Sequence, residues 1–200
     1  MKKKYPNGMM VRFYSGKLAQ IKGDIKGALK EFKPLPEDEM SFKCACYWES
    51  FWCYVLTGNF IQANAIMDKL LKNSTWSPAV FTYLKAITLV SLRLCYWTLN
   101  LSSFQMSMTT DGAKTEGKAL MSKVEGLRKK IAGKSIPDEK FAAKKAQKFL
   151  SGETTLALAI PEAAYVFNYL KVGNVNPKIA KFWREFLKQK QNEIGKLTSN

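Results

Sequence analysis

The sequence contains no histidine among its 200 residues. Histidine is the commonest general base, the side chain that titrates nearest to neutral pH and a frequent metal ligand. Its absence excludes histidine-based triads and histidine-containing metal sites. No other catalytic constellation is evident in the sequence, so we expect a protein that is not an enzyme and that carries no cofactor.

Cysteine is scarce, with four residues and no pair at the CxxC spacing typical of zinc sites. On a helix, Cys44 and Cys46 would lie on different faces, whereas Cys46 and Cys53 would share one. The pattern favours small buried thiols in a reducing compartment over a metal site.

No sustained apolar run follows the basic start of the chain, which therefore does not resemble a secretory signal. The longest apolar tract, Ala79–Leu101, carries Lys85 and Arg93. A charge near the centre of a membrane span costs about 2.5–3.5 kcal/mol on insertion scales. The tract therefore favours a buried helix over a transmembrane span.

Acidic residues are few, 16 against 32 basic ones, and the formal net charge is +16 with a pI near 9.7. Such a charge indicates an anionic partner, whether nucleic acid, an anionic membrane surface or an acidic peptide. The apolar fraction of 46% is typical of a folded globular chain.

Two stretches of the sequence, Arg12–Phe32 and Tyr47–Leu71, each predict a helix, a glycine turn and a second helix. The same residue types recur at an offset of 35 residues, close to the tetratricopeptide period of about 34. The matched positions are Gly23 and Gly58, Ala28 and Ala63, and Phe32 and Met67. The sequence therefore predicts an all-α, tetratricopeptide-like α-solenoid of antiparallel helix pairs, which is a binding scaffold rather than a reaction centre.

Glycine, proline and hydrophobic periodicity predict where the elements lie. Helices are predicted over 11–22, 25–32, 41–56, 60–71 and from 78 to at least 92. A later helix is predicted from the apolar stripe Leu120, Val124, Leu127 and Ile131. Four segments follow from these predictions. Residues 1–10 form a flexible basic N-terminus, and 11–95 form two helix pairs plus a following helix. Residues 96–117 form a loop or insertion, and 118–195 form basic helices that include a degenerate repeat at Tyr169, Gly173 and Phe182.

Three motifs, in this order, resemble the tetratricopeptide repeat protein 39 family, which is related to the fungal inclusion body clearance proteins. Gly16–Ile25 (GKLAQIKGDI) is similar to the family element G-R/K-x-A-x-x-K-G-D-x. Cys46–Cys53 (CYWESFWC) is similar to its C-Y-W-E-x-x-W-C stretch. Ile131–Phe141 (IAGKSIPDEKF) is similar to its I-A-G-K-S-I-P-x-E-K-F signature. The resemblance covers 12–92 and 123–190 and departs at 93–117.

The resemblance implies an intracellular scaffold for protein–protein interaction, without catalytic residues to carry over. The family is associated with lipid and sterol homeostasis, and in fungi with lipid droplets and the clearance of protein inclusions. We therefore expect protein partners of unknown identity and a cytoplasmic protein, peripheral on organelle or lipid-droplet membranes. Family members are longer, so we expect this chain to be a C-terminal portion or a short relative.

Gly133-Lys134-Ser135 contains the G-K-S of a phosphate-binding loop. That motif needs a glycine five residues before Gly133, where Arg128 stands, and it needs a preceding strand, whereas a helix is predicted here. The sequence therefore favours a turn that precedes a helix over a nucleotide site.

A peptide groove is one candidate site, formed by Lys17, Gln20, Trp48 and Trp52 on the first helices of the two repeats. First helices line the concave surface of such arrays, where aromatic anchors hold peptides. Lys17 there is suited to an acidic peptide or a terminal carboxylate. The alternative, which we favour, is that Trp48 and Trp52 are packing residues, because aromatics one turn apart usually bury together.

An anionic-surface contact is the other candidate site. Its residues are Arg128, Lys129, Lys130, Lys134, Lys144 and Lys145. The alternative function is therefore a basic peripheral binder of an anionic membrane or nucleic acid, although no aromatic and basic platform for single strands is evident and we do not expect nucleic acid. A solvated helix face remains the simpler interpretation. Self-association is expected at the first repeat, where Phe13 and Tyr14 would lack a neighbour.

Overall fold

The computed structural model describes residues 5, 7–36, 38–95, 103–152 and 158–198, and every structural statement below concerns these residues. They contain ten α-helices: α1 (Met9–Ile21), α2 (Ile25–Glu31), α3 (Met40–Leu56), α4 (Phe60–Asn73), α5 (Pro78–Cys95), α6 (Ser103–Val124), α7 (Pro137–Leu150), α8 (Ala159–Val166), α9 (Leu170–Gly173) and α10 (Pro177–Thr198). Between α6 and α7 lie a 3₁₀ turn (Glu125–Leu127) and two short strands, β1 (Lys130–Ile131) and β2 (Lys134–Ser135). The all-α class is confirmed, with this hairpin the only sheet in the described ranges.

The first four helices form two antiparallel pairs, α1 with α2 and α3 with α4, and the pairs pack side by side. Gly23 and Gly58 turn the chain within each pair with φ of 77° and 73°, a conformation that glycine adopts without strain. Asp24 and Asn59 then cap the second helices by accepting backbone N–H bonds at 2.9 and 3.2 Å. The helix ends fall within two residues of the predicted ones.

The residues that define the 35-residue offset lie in the core of these pairs. Ala28, Ala63, Phe32 and Met67 are each 0% exposed. Small residues also set the distance between helices, since a Cβ on Gly16 would lie 2.6 Å from the Phe32 ring. The repeat is therefore a packing pattern, with equivalent side chains buried in successive pairs.

The third helix pair is α5 with α6, and here the prediction of a loop or insertion at 96–117 is wrong over 103–117. Gly117 allows α6 to lie close to α5, because a Cβ there would be 2.9 Å from Val90 Cγ2. Lys85 of α5 bridges Asp68 of α4 at 2.7 Å and Glu116 of α6 at 3.1 Å. Residues 96–102 lie outside the described ranges.

The prediction that an apolar stripe continues the helix to Ile131 is also wrong. The helix ends at Val124, Leu127 is in the 3₁₀ turn, and Ile131 is 70% exposed in β1. The strands pair antiparallel, Lys130 with Ser135 and Ile131 with Lys134. Backbone pairing across the turn replaces the helical hydrogen bonds at this point.

The C-terminal segment α8–α10 packs back against the first two helix pairs. In the predicted degenerate repeat, the first helix is divided into α8 and the 4-residue α9, and the second, α10, has 22 residues, so the segment does not repeat the helix lengths of the first two pairs. α10 instead crosses the repeat turns: Asn176 Nδ2 donates to the Gly23 carbonyl at 2.8 Å, and the Phe182 ring covers Gly58. α7 and α8 pack on α5, so one core joins these elements.

None of the helices in the described part of the chain is long and apolar enough to cross a membrane. α5, which contains the longest apolar run, has Val80, Phe81, Tyr83, Leu84 and Ile87 at 1% exposure or less. α5 packs between α4 and α6, so its apolar residues are buried within the protein, as the sequence predicts.

Candidate functional site

The four predicted groove residues lie together on the neighbouring faces of α1 and α3. Lys17 Nζ is 2.9 Å from Glu49 Oε2 and donates to Gln20 Oε1 at 3.2 Å. Gln20, which is 1% exposed, donates to Cys53 Sγ at 3.3 Å. These polar groups therefore already have partners within the chain.

Tyr169, which precedes α9, fills the centre of this groove. Its ring stacks on Trp52 at 4.6 Å between centroids with 11° between the planes, and Lys17 Nζ lies 5.4 Å from its centroid. Burial raises the pKa of the Tyr169 hydroxyl, and the Glu49 carboxylate raises it further, so the hydroxyl stays protonated and donates to Glu49. The Trp48 indole N–H donates to the same hydroxyl.

Phe167 completes the closure, with its ring 5.2 Å from Trp48 and 5.5 Å from Trp52. Trp52 is consequently 1% exposed and belongs to the core. We call Phe167–Tyr169 the plug. Asn168 within it has φ of 65°, in the left-handed region that asparagine tolerates better than most residues. Peptide binding by the groove residues stays a prediction, and the structure shows Lys17, Trp48 and Trp52 in contact with the plug.

A cavity of about 420 Å³ remains beside the plug. Lys17, Gln20 and Ile21 line it from α1, and Asn168 and Lys171 line it from the opposite side. The open part of the groove is therefore small, partly basic and without the tryptophans.

A larger cavity of about 690 Å³ opens on the other side of Trp48, between α3, the end of α4 and the start of α5. We call it the Trp48–Trp76 pocket. Most of its wall is apolar, and its principal residues are Met40, Cys44, Trp48, Leu70, Trp76 and Phe81. The rings of Trp48, Trp76 and Phe81 lie 5.6–5.9 Å apart. Trp76 is 58% exposed and Met40 is 48% exposed, so the rim is apolar as well.

Cys44, Cys46 and Cys53 are free thiols that are not suited to nucleophilic or metal chemistry. Burial raises the pKa of Cys46 and of Cys53 to about 12 in each case, and it raises the pKa of Cys44 despite a hydrogen bond with Ser74. A protonated thiol is a poor nucleophile and a poor metal ligand. No cluster of three potential metal ligands occurs within the ranges that the structure describes.

The six predicted anionic-surface residues fall into two groups. Arg128, Lys129 and Lys145 hold contacts within the chain: Arg128 with Glu125 at 2.5 Å, Lys145 with Glu162 at 2.7 Å, and the Lys129 ammonium with the Thr75 carbonyl. Lys130 and Lys134 of the hairpin and Lys144 of α7 are exposed. The exposed basic groups therefore lie on two elements, the hairpin and α7.

The model of the Iml2/tetratricopeptide repeat protein 39 family matches residues 1–199. The chain belongs to this family. Tetratricopeptide repeat protein ttc-39B of Caenorhabditis elegans is 31% identical over 182 residues, which cover 88% of this chain and 29% of that protein. The resemblance seen in the three motifs is confirmed.

This family member spans less than a third of the length of the curated relative that it matches. No solved structure matches it. Membership of a tetratricopeptide family indicates a scaffold for protein interaction, in agreement with the helix pairs described above.

The sequence did not indicate the plug or the pocket. The repeat pattern places Tyr169 at a repeat position, whereas its contacts with Glu49 and Trp52 join residues more than a hundred positions apart. Trp76 stands in a short loop that carries no periodic signal. An exposed tryptophan beside a helix start is a signal that could have been noted.

Proposed function

We propose that this chain is a non-enzymatic scaffold that binds an acidic segment of a protein partner in the Trp48–Trp76 pocket. The observation that supports the proposal best is the pocket itself. Its volume of about 690 Å³ lies within the range of binding cavities, and it can take two or three apolar side chains. Tryptophan and methionine, which form its exposed rim, are enriched at the centres of protein interfaces.

Charge complementarity supports an acidic partner. Lys129 lies by the pocket, because its ammonium group donates to the carbonyl of Thr75, which lines the pocket. The whole chain carries a net charge of +16, which would steer an acidic segment towards it. An apolar anchor with flanking carboxylates is the chemistry that this surface fits.

The test is a selection of random 12-residue peptides, displayed on phage, against the purified chain. We expect enriched peptides that combine bulky apolar residues with Asp or Glu. The double variant Met40→Glu, Trp76→Ser should weaken a selected peptide at least tenfold, because it removes the apolar rim and adds a like charge.

The matched control is Met10→Glu, Tyr14→Ser on α1, where the two side chains are 60% and 62% exposed. This control should leave the peptide affinity unchanged. Selection of no such peptide, or equal binding to both double variants, would rule out the pocket as the docking site.

The same control variant tests self-association, which we propose for the exposed face of α1. Met10, Tyr14, Leu18 and Ile21 lie on one side of this helix and are 54–62% exposed, whereas Phe13 is half-buried against Phe32 and Phe42. A second copy could cover this stripe. Sedimentation velocity should show a dimer for the wild type and a monomer for the control variant.

The cellular role is proposed from family membership. Family membership supports a role as a cytoplasmic scaffold in lipid and sterol homeostasis, or in lipid-droplet and inclusion clearance. The scaffold would lie peripherally on the organelle or droplet surface. Imaging of the tagged full chain in cells loaded with lipid droplets tests this. Diffuse fluorescence that does not change with loading would contradict the droplet location.

A second candidate function, a basic peripheral binder, is favoured by one stretch of the chain. Residues 128–150 contain eight basic side chains and two acidic ones, and one of the acidic ones, Glu139, is buried. An anionic membrane fits this surface better than nucleic acid does. Phe141 and Phe149, the aromatic residues of the stretch, are half-buried and offer no stacking platform.

A further inference from the structure

The hairpin β1–β2 is a tight turn that points its end into solvent. Ala132 and Gly133 have φ of 50° and 76°, the signs that a two-residue type I′ turn requires. The two residues are exposed, and no neighbouring atom lies within 4 Å of a Cβ built on Gly133. The turn therefore projects away from the helices.

The base of the hairpin is held firmly. Glu139, which is 0% exposed, accepts the Lys129 backbone N–H and the Ser77 hydroxyl, the latter at 2.8 Å. The Lys129 ammonium bonds the Thr75 carbonyl. These bonds tie the hairpin to the loop before α5, so the turn is presented on a rigid support.

The exposed residues of this turn combine one bulky aliphatic side chain with lysines. Ile131 is 70% exposed and pairs across the strands with Lys134. Lys130, the residue before Ile131, is also exposed. An exposed isoleucine between lysines contributes nothing to the core. It suits an interface that is anionic at its surface and apolar beneath.

We propose that this hairpin is a membrane-contact element, in which Ile131 enters the headgroup region of an anionic bilayer while Lys130 and Lys134 contact the lipid anions. The inference rests on the second candidate function and names its contact site. An acidic protein would also attract the lysines, but a single aliphatic side chain at the end of a turn offers too little area for a protein interface. Nucleic acid bases would find no aromatic ring here to stack on.

The test measures co-sedimentation of the full chain with vesicles of 70% phosphatidylcholine and 30% phosphatidylserine in 0.1 M salt. Wild type should bind these vesicles and not pure phosphatidylcholine. Lys130→Gln, Lys134→Gln should weaken binding about 25-fold, since each lysine near an anionic surface contributes about fivefold. Ile131→Ser should weaken it about fivefold through loss of apolar burial.

The matched controls are Ile61→Ser on α4, where the side chain is 45% exposed, and Lys26→Gln, Lys30→Gln on α2. Both should bind like the wild type. If the lysine variant binds weakly while Ile131→Ser binds normally, Ile131 does not enter the bilayer and the chain binds the membrane by electrostatic attraction alone. If every variant binds equally, another surface contacts the membrane. If the wild type does not bind, the inference and the second candidate function both fail.

Discussion

Among single residues, Arg12 and Asp38 form a buried ion pair with two hydrogen bonds. Two hydrogen bonds of 2.5 and 2.7 Å join the Arg12 guanidinium to the Asp38 carboxylate, and the side chains are 8% and 2% exposed. Arg12 also donates to the Lys33 carbonyl, and Asp38 accepts the Leu35 N–H at 2.6 Å. The pair therefore fixes the loop between α2 and α3 on α1.

Asp38 should make the stability of the protein depend on pH in the acid range. Burial raises the pKa of its carboxyl, but the hydrogen bonds from Arg12 and Leu35 and the Arg12 charge outweigh burial and lower it below its usual 3.8. A lowered folded pKa stabilises the protein above the unfolded value, and the stabilisation is lost as the pH falls through the folded value. We expect Asp38→Asn to reduce the free energy of unfolding at pH 7 by about 3 kcal/mol, because Arg12 is left buried without its partner.

Urea unfolding at pH 7 and pH 3 checks this prediction. The free energy of unfolding should fall less for Asp38→Asn than for the wild type between pH 7 and pH 3. Glu39→Gln, at an exposed position without a side-chain cap, is the control and should behave like the wild type. An Asp38→Asn protein with wild-type stability at pH 7 would contradict the role of the pair.

At the level of helices and turns, α10 stabilises the repeat turns that it crosses. Gly58 and Gly152 both have positive φ, at 73° and 79°, but only at Gly58 would a Cβ meet another element, 2.4 Å from Phe182 Cζ. We expect Gly152→Ala to cost about 1 kcal/mol, from backbone strain alone. Gly58→Ala should cost about 3 kcal/mol, because Phe182 must also move.

Thermal unfolding of the two variants isolates the contribution of α10. Phe182→Leu in the Gly58→Ala background should recover part of the loss, since a smaller side chain relieves the clash. Equal destabilisation by the two alanine substitutions would mean that α10 does not lie on the turn.

The same elements show what the sequence could and could not predict. The ends of α1–α4 and the start of α5 follow from local signals, namely Gly23, Gly58 and the prolines, so the first two helix pairs are predictable from the 35-residue offset. α6 was not, because Gly112 and Gly117 and the surrounding Ser and Thr resemble a loop. Gly117 instead permits close packing on α5, which is a tertiary effect that no local pattern reveals.

One part of the candidate site could be predicted from the sequence and the other could not. The proximity of Lys17, Gln20, Trp48 and Trp52 follows from stacking two repeats. Their closure by the plug does not, because it depends on where the chain returns after α7. Ile131 falls on the predicted helix stripe, because an isoleucine seven residues after Val124 fits helical periodicity as well as it fits an exposed hairpin.

Across the whole molecule, the plug makes the two ends of the chain depend on each other. Tyr169 stacks on Trp52 and bonds Glu49, while Asn176 and Phe182 hold the two repeat turns. A solenoid of independent pairs would unfold by stepwise loss of its ends. Here the C-terminal segment contacts both first pairs at once, so we expect α1–α4 and α8–α10 to unfold together.

Tyr169→Ala tests this coupling, with Tyr165→Ala as its control four residues earlier. Tyr169 is 8% exposed and Tyr165 is 75% exposed. Loss of the buried ring should cost about 3–5 kcal/mol, whereas the surface change should stay within about 0.5 kcal/mol. Hydrogen exchange should show faster amide exchange in α3 as well as in α10 of the Tyr169 variant, because the plug and the groove stabilise one another. If only α9 and α10 exchange faster while α1–α4 keep wild-type protection, the repeats are stable alone and the plug is an accessory that a partner could displace.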